Sequence, residues 1–177
     1  MSRLRYFIPF LLLFSLLGFL GYELFHAKPN ELPSTMIGEK VPDFRLQTLS
    51  KKGDLFTQQS LQGHVSLLNV FATWCYACTL EHDMLIKINR EYHVPVYGLL
   101  YKDDAKKTID WLNQHGNPYT KIGDDNNGDT AIDFGVYGTP ETFVISKEGR
   151  IVYRHIGMID QETWDKVLSP LIKKLNA

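Results

Sequence analysis

Cys75-Tyr76-Ala77-Cys78 holds the only two cysteines of the chain. The pair directly follows a mostly apolar run, Val65 to Phe71, and directly precedes a helical pattern. A strand that delivers Trp74-Cys75 to the first turn of a helix sets a thiol among backbone N–H groups that have no intrahelical partner. That position favours the thiolate, which is the reactive form. The second thiol lies three residues on, on the same helix face and within disulfide reach. The segment therefore predicts a reversible dithiol/disulfide centre. A permanent staple is the competing reading, but closing so short a loop removes little chain entropy.

The chain has 177 residues and a formal net charge of −1, with no basic block, which argues against a nucleic-acid partner. Its N-terminus is different in kind. Arg3 and Arg5 precede an uncharged stretch from Tyr6 to Tyr22. As a helix this stretch would cover about 25 Å, near the lower limit for spanning a bilayer. The arginines on one side and Glu23 on the other predict a cytoplasmic tail over residues 1–5 and an exported remainder. A cleaved signal peptide is the rival, but Leu24 and Phe25 before His26-Ala27 are too large for a cleavage site. The expected organisation is an anchor over 6–22, a linker over 23–40 carrying Pro29, Pro33, Ser34 and Gly38, and a folded domain over 41–177.

Within that domain Val41 to Leu46 reads as an extended lead-in and Lys51-Lys52-Gly53-Asp54 as a turn. Val65–Phe71 suits a buried central strand. Leu80, Met84, Leu85 and Ile88 then follow helical spacing up to Glu91. Val94–Leu100 is the next strand, and Ala105–His115 a helix ended by Gly116. A short strand is expected at Tyr119–Ile122 and a short helix at Thr130–Phe134. Glu141–Ile145 and Ile151–Ile156 form a hairpin across Ser146–Arg150, and Gln161–Leu175 is an amphipathic helix that Pro170 should end or kink. Early strand–helix–strand units force parallel pairing and the late hairpin adds antiparallel strands. The sheet is therefore mixed and flanked by helices, an α/β architecture.

A strand, Trp-Cys-x-x-Cys opening a helix, and a proline before a later hairpin together make the thioredoxin layout. Gly138-Thr139-Pro140-Glu141 supplies that proline. In such a layout it faces the cysteines through a cis bond from Thr139, leaving the Thr139 backbone to pair with an extended substrate. Trp74 covers one side of the site. Asn69 stands where thioredoxins hold a buried aspartate and cannot titrate. Glu81, three residues beyond Cys78, and Glu141, beside the proline, are the candidate proton carriers, with a solvated helix face the plain alternative for Glu81. A carboxylate near a thiol raises its pKa, destabilises the thiolate and makes the pair more reducing. His82 is expected to face solvent or cover the site. Two thiols and one imidazole do not complete a zinc site, so no metal ligands are assigned, although a Cu(I)-delivery module remains an alternative. Asp124 to Asp129 fails the register of a calcium loop and reads as a polar loop.

Several segments together resemble one family. They are Leu68–Cys75, Cys78 with Glu81-His82, Tyr101–Asp104, Gly116–Tyr119, Gly135–Thr142 and Tyr153–Gly157. The family is that of the membrane-anchored thiol:disulfide interchange proteins of bacterial cytochrome c maturation, the DsbE or CcmG type. The resemblance implies a thioredoxin-like fold with an N-terminal membrane anchor, single-pass in the bacterial inner membrane, its catalytic domain facing the periplasm. It implies a disulfide reductase whose only redox group is the Cys75–Cys78 pair. Its clients would be apocytochrome c or haem-ligation proteins, and a membrane electron donor of the DsbD or CcdA type would re-reduce it. Cys75 would attack and Cys78, less exposed, would resolve. Family members often carry proline between the cysteines, where this chain has Tyr76-Ala77, so the potential does not transfer. A general periplasmic thioredoxin-like reductase is the other alternative.

Overall fold

The structure is a computed structural model that describes residues 4–26, 36–50 and 53–177. Residues 27–35 of the expected linker, Lys51 and Lys52 of the expected turn, and residues 1–3 of the expected tail lie outside the described residues. The chain divides into two units, Met1–Pro33 and Ser34–Ala177. The first is built on helix α1, Leu4–His26, with Pro9 inside it. Its segment Tyr6–Glu23 is long and apolar enough to cross a membrane, a property that signal sequences share.

The second unit is centred on a five-stranded sheet. Strands β1 (Arg45–Gln47) and β2 (Leu55–Thr57) form a separate antiparallel pair, which the sequence reading did not anticipate. The main sheet contains β3 (Ser66–Phe71), β4 (Val96–Tyr101), β5 (Ile122–Asp125), β6 (Glu141–Ile145) and β7 (Ile151–Ile156), in the order β5-β4-β3-β6-β7. β3, β4 and β5 run parallel, and β6 and β7 run antiparallel to their neighbours. This is the mixed sheet that the order of elements predicts.

All six residues of β3 are buried, because the strand is central and covered on both faces. Successive side chains point to opposite faces, and that alternation sorts the core into two clusters. Leu67 and Phe71 pack with Leu85 and Ile88 of helix α2 (Tyr76–Arg90) and with Trp164 and Leu168. Leu68 and Val70 pack on the other face with Phe56, Phe134 and Phe143. Asn69 takes the α2 face with Leu67 and Phe71, so a polar side chain is carried into a dry layer.

Three elements differ from the sequence reading. β5 begins at Ile122, later than expected, because Tyr119 turns inward to stack its ring on Phe71 at 4.5 Å. Asp124 and Asp125 belong to β5, and Asp125 is a buried cap. Its carboxylate accepts the Thr130 and Ala131 N–H groups at 3.1 and 2.9 Å, starting helix α4 (Asp129–Asp133). The expected polar loop is thus shorter than six residues. The C-terminal helix also passes through Pro170. Helix α5 (Gln161–Thr163) leads into a wide turn, Trp164–Leu168, in which the Ser169 N–H reaches the Trp164 carbonyl, and α6 (Ser169–Asn176) follows. Five-residue hydrogen bonding absorbs the crowding that a proline ring imposes on the preceding turn.

The folded unit also reaches into the expected linker. Gly38 and Val41 donate backbone hydrogen bonds to Ile151 and Gly149, and Glu39 accepts one from Ile151. Helix α3 (Ala105–His115) covers the α2 side beyond β4.

Candidate active site

Cys75 is the N-cap of α2. Its backbone is extended, and its Sγ accepts the Cys78 N–H at 3.1 Å. A sulfur there sits at the positive end of the helix, which favours the thiolate when the bond is open. Cys75 and Cys78 are joined as a disulfide with Cα atoms 5.3 Å apart. The expected difference in exposure is absent: Cys75 is 6 % and Cys78 7 % exposed. Both are enclosed by their loop and helix, so position sets them apart, Cys75 at the cap and Cys78 inside the first turn.

The loop before the pair is tied down from β4. The Thr73 N–H and hydroxyl both donate to Asp103 Oδ2, at 2.5 and 2.7 Å, and Trp74 Nε1 donates to the Lys102 carbonyl at 3.2 Å. Trp74 and Tyr76 remain 59 % and 77 % exposed and form an aromatic rim. The Thr139–Pro140 bond is cis. β6 pairs with β3 in a register that sets Glu141 opposite Val70, so Pro140 lies at the end of β3 that leads to Cys75. The Pro140 carbonyl accepts the Gly157 N–H at 2.9 Å. Among the described residues, none pairs with the Thr139 backbone.

Glu141 is fully buried and fully committed. Arg154 Nε donates to Oε2 at 2.7 Å, with Nη2 ion-paired to the same oxygen at 2.6 Å, and the Tyr137 and Gly138 N–H groups donate to Oε1 at 3.2 Å. Three hydrogen bonds and the guanidinium charge hold the carboxylate in place. Arg154 also donates to the Gly135 carbonyl at 2.9 Å and lies over the Tyr137 ring at 4.9 Å. Sequence reading missed this arginine, whose only signal was its place in the Tyr153–Gly157 segment.

Glu81 is buried as well, so the solvated-face alternative does not hold. It projects from α2 one turn beyond Cys78, 1 % exposed. Asn69 Nδ2 donates to its Oε1 and the Ile159 N–H to its Oε2, both at 2.8 Å. Burial pushes the Glu81 carboxyl up to about 7, against the pull of those two hydrogen bonds. His82 neither faces solvent nor covers the cysteines. It is buried, its Nε2 lies 3.0 Å from the Gly116 carbonyl and its ring meets Trp111 edge-on, which locks α2 to α3. Burial lowers its pKa.

Residues 36–168 match the Redoxin family. The chain is 40 % identical over its full length to the thiol:disulfide interchange protein DsbE of Vibrio cholerae, of which it covers 98 %. With the Escherichia coli protein of the same name it shares 43 % identity over 82 % of this chain and 79 % of that one. The chain belongs to the DsbE family. The relatives are named thiol:disulfide interchange proteins; this chain is a thiol–disulfide oxidoreductase of that family and carries a bonded cysteine pair at the head of α2.

Solved structures show that the fold is thioredoxin-like. A secreted thiol-disulfide isomerase from Corynebacterium glutamicum superposes with a TM-score of 0.69 at 21 % identity, over 82 % of this chain and 95 % of that one. A thiol:disulfide interchange protein of the thioredoxin family from Chlorobium tepidum gives 0.62 at 21 % identity, over 78 % and 96 %. Within the DsbE site, sequence reading also missed Asp103, Tyr119 and the Ile159 N–H. The first two stand in segments that carry the family resemblance; a backbone donor leaves no mark in a sequence.

Proposed function

We propose that this DsbE-family chain works as a reductant outside the cytoplasm, supplying electrons to the disulfide of apocytochrome c or of a haem-ligation partner during cytochrome c maturation. The observation that carries the reductive direction is the buried Glu81 carboxyl one turn beyond Cys78. A carboxylate at that distance disfavours a thiolate on the helix and so disfavours storing the pair as a stabilised thiolate. A less stable reduced form is a stronger reductant.

The steps follow from the positions. The Cys75 thiolate attacks one sulfur of the substrate disulfide, forming a mixed disulfide and releasing a substrate thiolate. Cys78 gives its proton to Glu81 and attacks Cys75 Sγ, closing the Cys75–Cys78 bond and releasing the second substrate thiol. The free Thr139 backbone and Pro140 bind the extended substrate segment, with Trp74 beside it. Glu141 holds the loop in front of Pro140. A membrane electron donor of the DsbD or CcdA type returns the pair to the dithiol. α1 anchors the chain in the inner membrane, and Arg3 and Arg5 set the catalytic domain in the periplasm.

The test is a trap. Full-length Cys78→Ser expressed in cells maturing cytochrome c should accumulate mixed disulfides with apocytochrome c or a haem-ligation protein, and Cys75→Ser should accumulate none. A Cys78→Ser trap holding only unrelated periplasmic proteins would replace this reading with the general reductase.

A further inference from the structure

The Glu81 carboxylate has a second layer of support. Asn69 is completely buried, and its amide is saturated: Nδ2 donates to Glu81 Oε1 at 2.8 Å and to Thr142 Oγ1 at 3.0 Å, while Oδ1 accepts the Tyr119 hydroxyl at 2.9 Å. An amide has two ends of opposite character and can turn about its terminal torsion. With Nδ2 towards Glu81 it stabilises the carboxylate. With Oδ1 towards Glu81 it would stabilise the carboxylic acid, by accepting its proton. Tyr119 is the group that decides between them, because a hydroxyl donating to Oδ1 holds the amide in the first orientation.

We infer that Tyr119 is a positioning residue for thiol–disulfide exchange, acting through Asn69 to keep the proton-accepting form of Glu81 available. The inference rests on the reading of Glu81 as the proton carrier for Cys78. Tyr119 suits the part. It reaches the sheet from the segment before β5, and its ring is held against Phe71, with room made by the absent side chain of Gly98. Burial raises its own pKa well above the ordinary value, so it remains a neutral donor at every physiological pH.

The groups facing Glu81 from each neighbouring element are few. Among the described residues they are Asn69 from β3, the Ile159 N–H from the segment after β7 and Tyr119 beyond Asn69, with Cys78 three residues before Glu81 on its own helix. Apart from Glu81 itself, only Cys78 and Tyr119 among these titrate, and Tyr119 does so far above the working range. A change in the pH dependence of exchange on altering Tyr119 therefore reports on Glu81 or Cys78, and a Glu81 variant separates the two.

The experiment measures kcat and KM for reduction of a disulfide-bonded haem-site peptide, with a small dithiol as the reductant that regenerates the pair, as functions of pH, for the full chain, Tyr119→Phe and Glu81→Gln. In the parent chain kcat should rise with pH through an acid limb as Glu81 loses its proton, and Glu81→Gln should abolish that limb. Tyr119→Phe should keep the limb but move it to higher pH by about half a unit to one unit, the equivalent of one neutral hydrogen bond, with KM unchanged. A limb that disappears in Glu81→Gln yet stays in place in Tyr119→Phe overturns this inference alone. A limb that keeps the parent's position in Glu81→Gln overturns the Glu81 reading and this inference with it. If Tyr119→Phe does not fold, 3-fluorotyrosine placed at position 119 keeps the ring and donates more strongly. It must then move the limb to lower pH, and an unmoved limb counts against the inference.

Discussion

Asn69 of β3 donates to Glu81 of α2 at 2.8 Å across the sealed seam between sheet and helix. An uncharged amide faces an acid there, with no cation opposite. Burial favours the protonated acid and the hydrogen bond favours the carboxylate. Their balance places the carboxyl at about 7, where an acid both takes and returns a proton near neutrality. Under the proposed function both directions are used, once when the pair is oxidised by substrate and once when it is reduced again.

That balance has a signature in stability. The folded state holds the Glu81 proton more tightly than the unfolded chain, whose carboxyl has the ordinary value of 4.5. Between pH 4.5 and about 7 the native state therefore keeps a proton that the unfolded state has lost, and stability falls as pH rises. The full effect is roughly 3 kcal/mol, reached near pH 7 and flat beyond it. Chemical denaturation of the oxidised full-length protein, in which no thiol titrates, should show this decline, and Glu81→Gln should remove most of it. An unchanged slope in the variant would assign the decline to another group.

The cysteine pair, the proline segment, the order of elements and the mixed sheet were legible because each has a local signature: spacing, periodicity or turn chemistry. Glu81 was legible as a candidate from its spacing to Cys78, but not its burial, which depends on what the sheet and the Ile159 segment place over it. Glu141 was legible as a neighbour of Pro140, yet its partner Arg154 lies on another strand, and sequence proximity to the proline suggested chemistry where the structure shows an anchor. Tyr119 and Asp103 act through contacts 50 and 30 residues away in the chain, and no local pattern encodes those.

Arg154 and Glu141 form a buried ion pair that also secures the loop leading to Pro140. Arg154→Met leaves the Glu141 charge buried with only two backbone donors and should destabilise the protein by about 3–5 kcal/mol. Adding Glu141→Leu removes the stranded charge, so the double variant should recover part of that loss, which a double-mutant cycle by denaturation measures. Recovery of stability should not restore exchange activity, because the Tyr137 and Gly138 amides still lack the carboxylate that orders them. Full activity in the double variant would show that the loop needs no such support.

Asp103→Ala releases Thr73 and, with it, the loop that presents Trp74 and Cys75. Asp103 accepts three hydrogen bonds, two from Thr73 and one from the Asp104 N–H, and their loss at this half-exposed carboxylate should cost about 2–4 kcal/mol of stability. Because the released loop is the face that meets substrate, KM for a protein disulfide should rise severalfold. The rate with a small disulfide such as oxidised glutathione should change much less, since it makes no use of the rim. Steady-state kinetics with both substrates separates presentation from chemistry, and an equal loss with the two would assign Asp103 to the chemistry itself.

Gly98 tests the packing beside Asn69, the partner of Glu81. It stands opposite Asn69 in the β3–β4 register. A Cβ there would lie 2.8 Å from Phe71 Cε1 and 3.1 Å from the Tyr119 ring. Neither ring can retreat easily, since they stack on each other at 4.5 Å and the Tyr119 hydroxyl is tied to Asn69. Gly98→Ala should therefore cost about 1–3 kcal/mol by overpacking, although alanine suits a strand no worse than glycine does. Gly138 gives the contrast: a Cβ there meets nothing within 4 Å, so Gly138→Ala should change stability by less than about 0.5 kcal/mol. Relief of the crowding identifies its source. Gly98→Ala combined with Phe71→Leu should be more stable than the sum of the two separate losses allows, because the smaller side chain gives the new methyl its room. Strict additivity in urea denaturation would show that the strain of Gly98→Ala lies elsewhere than against Phe71.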